Sequence, residues 1–236
     1  MGASARAIAT GTGQRSRPSR RQILSVLTAA AVGAGRNVSV SARKGKKPKT
    51  VSVTRSFVND GQIRIPANVE GLGASNPYPA SITVEDFPGV VSNVVVTLKG
   101  VSHDESREVE VMLAKDTTNA VLMGLAGFDE AMTNVTLTFD DGAAFGLPKS
   151  ATIVSGRYQP TNFISLMNLP SYFRAPAPLP SGNTRLAAFR GLAANGVWRL
   201  YVTDGALNTD GAISGGWELT LTADVPKKRK KKKKRG

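Results

Sequence analysis

The sequence predicts an all-β fold, an antiparallel β-sandwich of jelly-roll type. Short segments in which apolar and polar residues alternate recur at close intervals from residue 50 onward, the period-2 signature of half-buried strands. No segment after residue 50 keeps a long 3.6-residue apolar period, so helices are not expected to build the core. Near the C-terminus, GVWRLYVTDGALNTDGAISGGWELTL (196–221) carries two Trp-bearing alternating segments around an Asp/Asn/Gly-rich link.

The elements follow in order. Residues 50–57 alternate weakly, 78–84 follow a Pro-bracketed turn, and within 90–98 the side chains of Val94, Val96 and Leu98 share a face. Val109, Val111 and Leu113 alternate with Glu108, Glu110 and Met112, and Val135, Leu137 and Phe139 with Asn134, Thr136 and Thr138. Trp198, Leu200 and Val202 oppose Arg199, Tyr201 and Thr203, and Trp217, Leu219 and Leu221 repeat this against Glu218, Thr220 and Thr222. The link contains Asp204, Gly205, Asn208, Asp210 and Gly211, residues that supply turn geometry. Strand, turn, strand is the expectation, closing a two-tryptophan hairpin.

Charge divides the chain. The total is +14, yet residues 1–50 hold 11 Lys/Arg and no acid, and the run 227–235 holds nine more. The 11 basic residues that remain face all 17 acids, a net charge of −6 for the body. A nucleic-acid-binding fold is therefore not what the basic total signifies. Cysteine is absent, so neither a disulfide nor a thiolate zinc site is available and the core alone must stabilise the domain. About 175 residues suffice to bury roughly two thirds of the unfolded surface.

Residues 1–42 read as an export signal. Ser19, Arg20, Arg21, Gln22, Ile23 and Leu24 form a twin-arginine motif, with Arg20 and Arg21 as the pair, followed by a weakly apolar Ala/Gly-rich stretch over 23–35. That stretch is too short to anchor the mature chain across a bilayer. Val40-Ser41-Ala42 and Ala34 both offer small-residue cleavage points. Residues 43–50 form a basic linker containing Gly45 and Pro48, and the body spans 51–225.

Several pieces of the body carry a resemblance in their order: NPYPASITV (76–84), VVSNVVVTLKGVSH (90–103), EVEVML (108–113), NVTLTFDDGA (134–143), SGRYQPTN (155–162) and LAAFRGLAANGVWRLYVTD (186–204), then the second Trp segment. Together they resemble the P/Homo B domain, the module that accompanies the catalytic domain of subtilisin/kexin-like proprotein convertases. The resemblance covers about residues 57–223 and implies a galactose-binding-like jelly roll that is not itself an enzyme. In that family the domain packs on and stabilises a serine-type endopeptidase whose catalytic Ser, His and Asp lie in a different domain. The single histidine, His103, matches a family histidine at a strand end and takes a structural role. Some members bind calcium, which needs six to eight hard oxygen ligands. The positions implied here are Glu108 and Glu110, where the family carries Asp-Leu-Asp, with Asp204 and Asp210 in the final link.

Residues 226–236 form a polybasic tail: after Pro226 come Lys227, Lys228, Arg229, Lys230, Lys231, Lys232, Lys233, Lys234 and Arg235. Without an aromatic residue the run offers no base-stacking platform, so sequence-specific nucleic-acid binding is not expected. For an exported chain its partners are anionic lipids or cell-wall polymers, at about 1 kcal/mol per basic residue near such a surface; a solvated extension without a partner is the alternative. The expected function is an exported module that binds or stabilises an extracellular subtilisin-like serine peptidase or another envelope protein. The alternative is a carbohydrate- or cell-surface-binding module, for which Phe163, Tyr172 and Phe173 are the candidate aromatics.

Overall fold

The computed structural model describes residues 50–67, 73–205 and 209–227. The twin-arginine motif, the linker up to residue 49, Asn208 and the tail from Lys228 onward lie outside the described residues. No helix among the described residues is long and apolar enough to cross a membrane.

Two sheets form a sandwich. The strands are β1 (Thr50–Asn59), β2 (Ile63–Ile65), β3 (Gly73–Ala74), β4 (Ala80–Val84), β5 (Val91–His103), β6 (Val109–Lys115), β7 (Thr118–Gly124), β8 (Met132–Phe139), β9 (Gly156–Tyr158), β10 (Thr161–Asn162), β11 (Gly196–Asp204), β12 (Gly211–Ile213) and β13 (Trp217–Pro226). The first sheet runs β1-β13-β5-β12-β2, with β8 on the other side of β5 and β9 beyond it; the second runs β10-β7-β6-β11-β3, with β4 also on β11. Pairing is antiparallel apart from two short parallel contacts, β8 with β9 and β7 with β10, so both sheets are mixed where a purely antiparallel fold was expected.

The alternating segments become strands because one face of each is needed inside. In the first sheet Trp217 pairs with Leu98 and Leu98 with Leu137, while Leu219 pairs with Val96 and Val96 with Phe139. In the second, Leu200 pairs with Leu113 and Val202 with Val111. These side chains meet in one buried cluster between the sheets. A short 3-10 turn, Leu186–Phe189, seals it, with Phe189 tilted at 50° against Trp198, ring centroids 5.2 Å apart.

The two tryptophan strands do not form a hairpin. β11 pairs with β3, β4 and β6, whereas β13 pairs with β1 and β5, so the strands belong to opposite sheets. Both carry the same alternation because each presents its apolar face to the same core. The connection crosses from one sheet to the other by way of β12. Gly216, at the turn into β13, has φ of +66°, and a Cβ there would collide with the Asn59 carbonyl, so this position requires glycine.

One side of the sandwich is latched where β1 approaches β4. Arg55 donates to the Asp86 carbonyl (2.8 Å) and the Asn59 amide to the Ser81 carbonyl (2.9 Å). Phe57 meets Phe87 edge-on at 5.9 Å. On the outer face of the first sheet hydroxyls pair across strands: Thr54 with Thr222 (2.9 Å), Ser56 with Thr220 (2.7 Å) and Thr97 with Thr138 (3.1 Å).

The centre of the second sheet, β6 and β7, is buried on both faces. Every residue of β6 is buried, because residues 169–183 cross its outer surface as a proline-containing strap. A second apolar cluster of Met112, Ala114, Val121, Phe173 and Tyr201 lies beneath it. The strap is tied to the sheet by the Asn119 amide donating to the Leu179 carbonyl (3.0 Å), the Ser181 N–H donating to the Asn119 side chain (2.8 Å) and the Val121 N–H donating to the Asn183 carbonyl (2.9 Å).

The two buried indoles differ in one bond. Trp198 Nε1 donates to the Ala194 carbonyl at 2.9 Å, whereas Trp217 Nε1 meets no acceptor among the described residues. Trp198→Phe leaves that carbonyl stranded and is expected to cost about 1 kcal/mol more than Trp217→Phe. Urea unfolding of the two variants measures the difference, and equal costs would refute the assignment.

Candidate functional site

His103, Glu108, Glu110, Asp204 and Asp210 lie at one end of the sandwich, where β5 and β11 end and β6 and β12 begin. β11 delivers Asp204 to the interior: its register partner Val109 belongs to the main core, so both side chains point between the sheets. β5 delivers His103, opposite Gly211 of β12. Both side chains are fully enclosed, with His103 Nε2 3.5 Å from Asp204 Oδ2, an ion-pair distance rather than a well-formed hydrogen bond. Thr209 donates its hydroxyl to the same carboxylate oxygen at 3.2 Å.

The other ring nitrogen, Nδ1, lies 2.8 Å from the Glu105 carbonyl. The Glu105 N–H also points to Nδ1, at 3.2 Å, so this backbone offers Nδ1 an acceptor or a donor according to the ring's protonation state. Burial pulls the His103 pKa down, but the Asp204 carboxylate and the Glu105 carbonyl outweigh it, and the pKa stands above its ordinary value of 6.5.

Glu110 points the other way. Its register partner is Thr203, one residue removed from Asp204 along β11, so in an alternating strand Glu110 and Asp204 face opposite sides of the sheet. Glu110 lies under the strap, where its carboxylate accepts the Ser171 hydroxyl at 2.8 Å and the Tyr172 N–H at 2.9 Å. Burial raises its pKa, and these two bonds offset part of the rise. Glu108 pairs with Arg107 at 3.0 Å, and Arg107 also reaches Asp129 at 2.7 Å. Burial raises the Glu108 pKa as well, opposed by Arg107. Asp210 is exposed, and its N–H takes the Asp104 carboxylate at 3.2 Å.

The four carboxylates implied as calcium ligands are thus divided between the interior, the underside of the strap and the surface. Among the described residues no group of three or more His, Cys, Asp or Glu side chains is placed to hold a metal ion. Strand alternation separates Glu110 from Asp204, and Glu108 is paired with Arg107, so among the described residues Glu108, Glu110, Asp204 and Asp210 are not brought together in one cage.

The aromatics named for sugar binding are spent on packing. Phe173 joins the cluster beneath the strap, Phe163 packs against the main core, and the Tyr172 ring lies directly over Gly205. Lys227, the first residue of the basic run, is exposed at the end of β13, and it alone of that run is described.

Two features escaped the sequence. Lys115 is buried, its ammonium 2.9 Å from Asp116 and 6.0 Å from the Trp198 ring centroid. Its place in the sequence, following Leu113 at alternate spacing, is the signal that marks it as core-facing. The second is a pocket of about 420 Å³ beside the short helix α1 (Phe163–Leu166), lined in part by Ile164, Leu169, Phe173 and Leu179. Around it large apolar side chains stand in solvent: Leu166 is 78% exposed, Met167 49%, Leu169 45% and Leu179 86%.

Because the folded-state pKa of His103 is raised, its contribution to stability is complete below the unfolded value near 6.5 and is lost as pH rises through the folded value. The stability gap between wild type and His103→Gln is expected to narrow from pH 6.5 upward, read from thermal unfolding at stepped pH. A gap constant with pH would show that the ring contributes by packing alone. Comparison with known proteins adds no identity: no family model matches the chain, and no curated protein matches it.

Proposed function

We propose that the chain is an exported, non-catalytic, P/Homo B-like sandwich that binds a partner protein, a subtilisin-like extracellular peptidase or a comparable envelope protein. The observation that carries the partner-binding part is a set of exposed apolar side chains beside α1: Leu169 and Leu179 in the lining of the pocket, and Leu166 and Met167 at the adjoining end of the helix. Large apolar side chains standing in solvent close together in the chain and at a pocket mark interaction sites on globular domains. The enclosure of His103 supports the non-catalytic part, since a general base must reach its substrate's proton. The resemblance of the ordered sequence pieces is what supports the choice of a peptidase as partner. The basic run from Lys227 to Arg235 adds a salt-sensitive attraction to anionic surfaces.

The test is cross-linked capture from the secreted fraction of the source cells at low and high salt. It compares the full chain, a variant lacking residues 227–235, and Leu166→Asp with Met167→Asp. A peptidase retained at high salt by the full and tail-less chains, and reduced at least about tenfold by the double substitution, is expected. Because both substituted side chains stand in solvent, unfolding stability should shift by no more than about 0.5 kcal/mol each. Capture that disappears with salt, or that the double substitution leaves intact, sinks this reading.

A further inference from the structure

The outer edge of a sheet exposes a row of backbone N–H and C=O groups with which another strand can pair. Among the described residues most of these edges are short or occupied. β3 and β10 are two residues long and β9 three. β2 is closed by Asn76, which exchanges both backbone bonds with Arg64, at 2.9 and 2.8 Å. β4 is capped by side chains of β1, Asn59 donating to the Ser81 carbonyl and Arg55 to the Asp86 carbonyl just beyond the strand.

β1 is the exception. It is ten residues long, pairs with β13 alone and keeps one register throughout. In an antiparallel ladder every second residue turns both of its backbone groups away from its partner. No backbone group of β1 bonds a described residue outside β13, so that outward row is open. The usual guards of such an edge are missing, since the strand holds no proline, glycine or lysine and no bulge. Its one charge, Arg55, is turned onto the Asp86 carbonyl and over the Phe87 ring, 5.9 Å from the centroid. Val51 and Val58 stand 44% and 54% exposed.

The strand is also complementary to itself. A two-fold axis through Thr54 sets Val51 of one copy opposite Phe57 of the other, Ser52 opposite Ser56, Val53 opposite Arg55 and Thr54 opposite Thr54. Val53 and Phe57 already pack against the core, so Val51 and Phe57 would cover each other at its margin. The hydroxyl pairs that tie β1 to β13, Thr54 with Thr222 and Ser56 with Thr220, would continue across the joint. No like charges stand opposite each other. Both strands are ordered beforehand, which favours a second copy over a flexible peptide that must be ordered on binding. Such a joint uses up the edge in both copies and closes at the dimer.

We propose that β1 is a dimerisation edge: two copies of the chain pair antiparallel through β1, centred on Thr54, and join their first sheets into one continuous sheet. The pocket beside α1 adjoins β10 of the second sheet, so the outcome of the capture experiment does not decide the point.

Sedimentation equilibrium of the full chain at low and high salt reads the association. A monomer–dimer equilibrium with a Kd on the order of 1–100 µM is expected for so small an interface, and it persists at high salt because backbone bonds hold it. Thr54→Lys sets two ammonium groups opposite each other and is expected to weaken the dimer at least about tenfold. Thr54→Glu does the same, and an equimolar mixture of the two variants regains the wild-type affinity. The Thr54 side chain is exposed, so both variants are expected to unfold cooperatively. Because the chain has no cysteine, single thiols report the register: Thr54→Cys brings two of them within disulfide reach and links on oxidation. Val58→Cys places its two thiols about 26 Å apart along the strands and does not link. A chain monomeric up to about 0.5 mM overturns the proposal, as does a dimer that dissolves in salt or ignores Thr54→Lys. A mixture no tighter than its components, or equal linkage of the two cysteine variants, overturns it as well. Should Thr54→Lys fail to fold, the cysteine variants decide.

Discussion

Everything in this molecule rests on two strand faces pressed together from opposite sheets. Trp198, Leu200 and Val202 come from one side and Trp217, Leu219 and Leu221 from the other, all fully buried. With no cysteine in the chain no covalent staple shares the task, so the apolar area removed from water between the sheets is the dominant stabilising term. The remaining features are fitted around that contact. The Phe57–Phe87 and Arg55–Asp86 latch closes a flank, the turn with Phe189 closes the gap beside Trp198, and the His103–Asp204 pair fills an end where an apolar side chain would also have packed.

That pair illustrates what a polar group inside such a core requires. An enclosed carboxylate and an enclosed imidazole are each costly alone, and truncating one partner of a buried pair costs more than the pair itself contributes. Here Thr209 and the Glu105 carbonyl supply further partners. Glu110 is handled differently. It is covered by the strap and satisfied by the Ser171 hydroxyl and the Tyr172 N–H, so the residue whose alternation suggests a solvent-facing acid, and which the resemblance implied as a calcium ligand, instead anchors an irregular segment.

The strands that alternate cleanly were legible in the sequence, because a residue's partner in the core is announced by its own neighbours at i±2. Val94, Val96 and Leu98 of β5 and Val135, Leu137 and Phe139 of β8 all point inward as their spacing indicates. What was not legible is what depends on distant chain. The two tryptophan segments carry identical patterns whether they pair with each other or face each other, so the hairpin reading had nothing local to contradict it. β7 lacks alternation because both its faces are covered, leaving the unbroken apolar run from Ala120 to Met123. The cover itself has no periodicity to detect. Only Met112 and Tyr201, large and apolar on what should be a wet face, hinted that something lies over β6 and β11. The candidate site suffered for the same reason: the pocket beside α1 is formed by segments that meet only in the folded chain.

The register of β1 against β13 sets Thr50 opposite Pro226 and Asn59 opposite Trp217. The first and last strands of the body are therefore neighbours, and β13 is also the strand that joins β1 to β5. Pairings of such long sequence separation form late and slowly. On a ribosome the first sheet stays open, with the edges of β1 and β5 unpaired, until the final strand has emerged. The fold is thus completed only when that strand arrives, and the interval before closure is when the nascent chain is most exposed to mispairing.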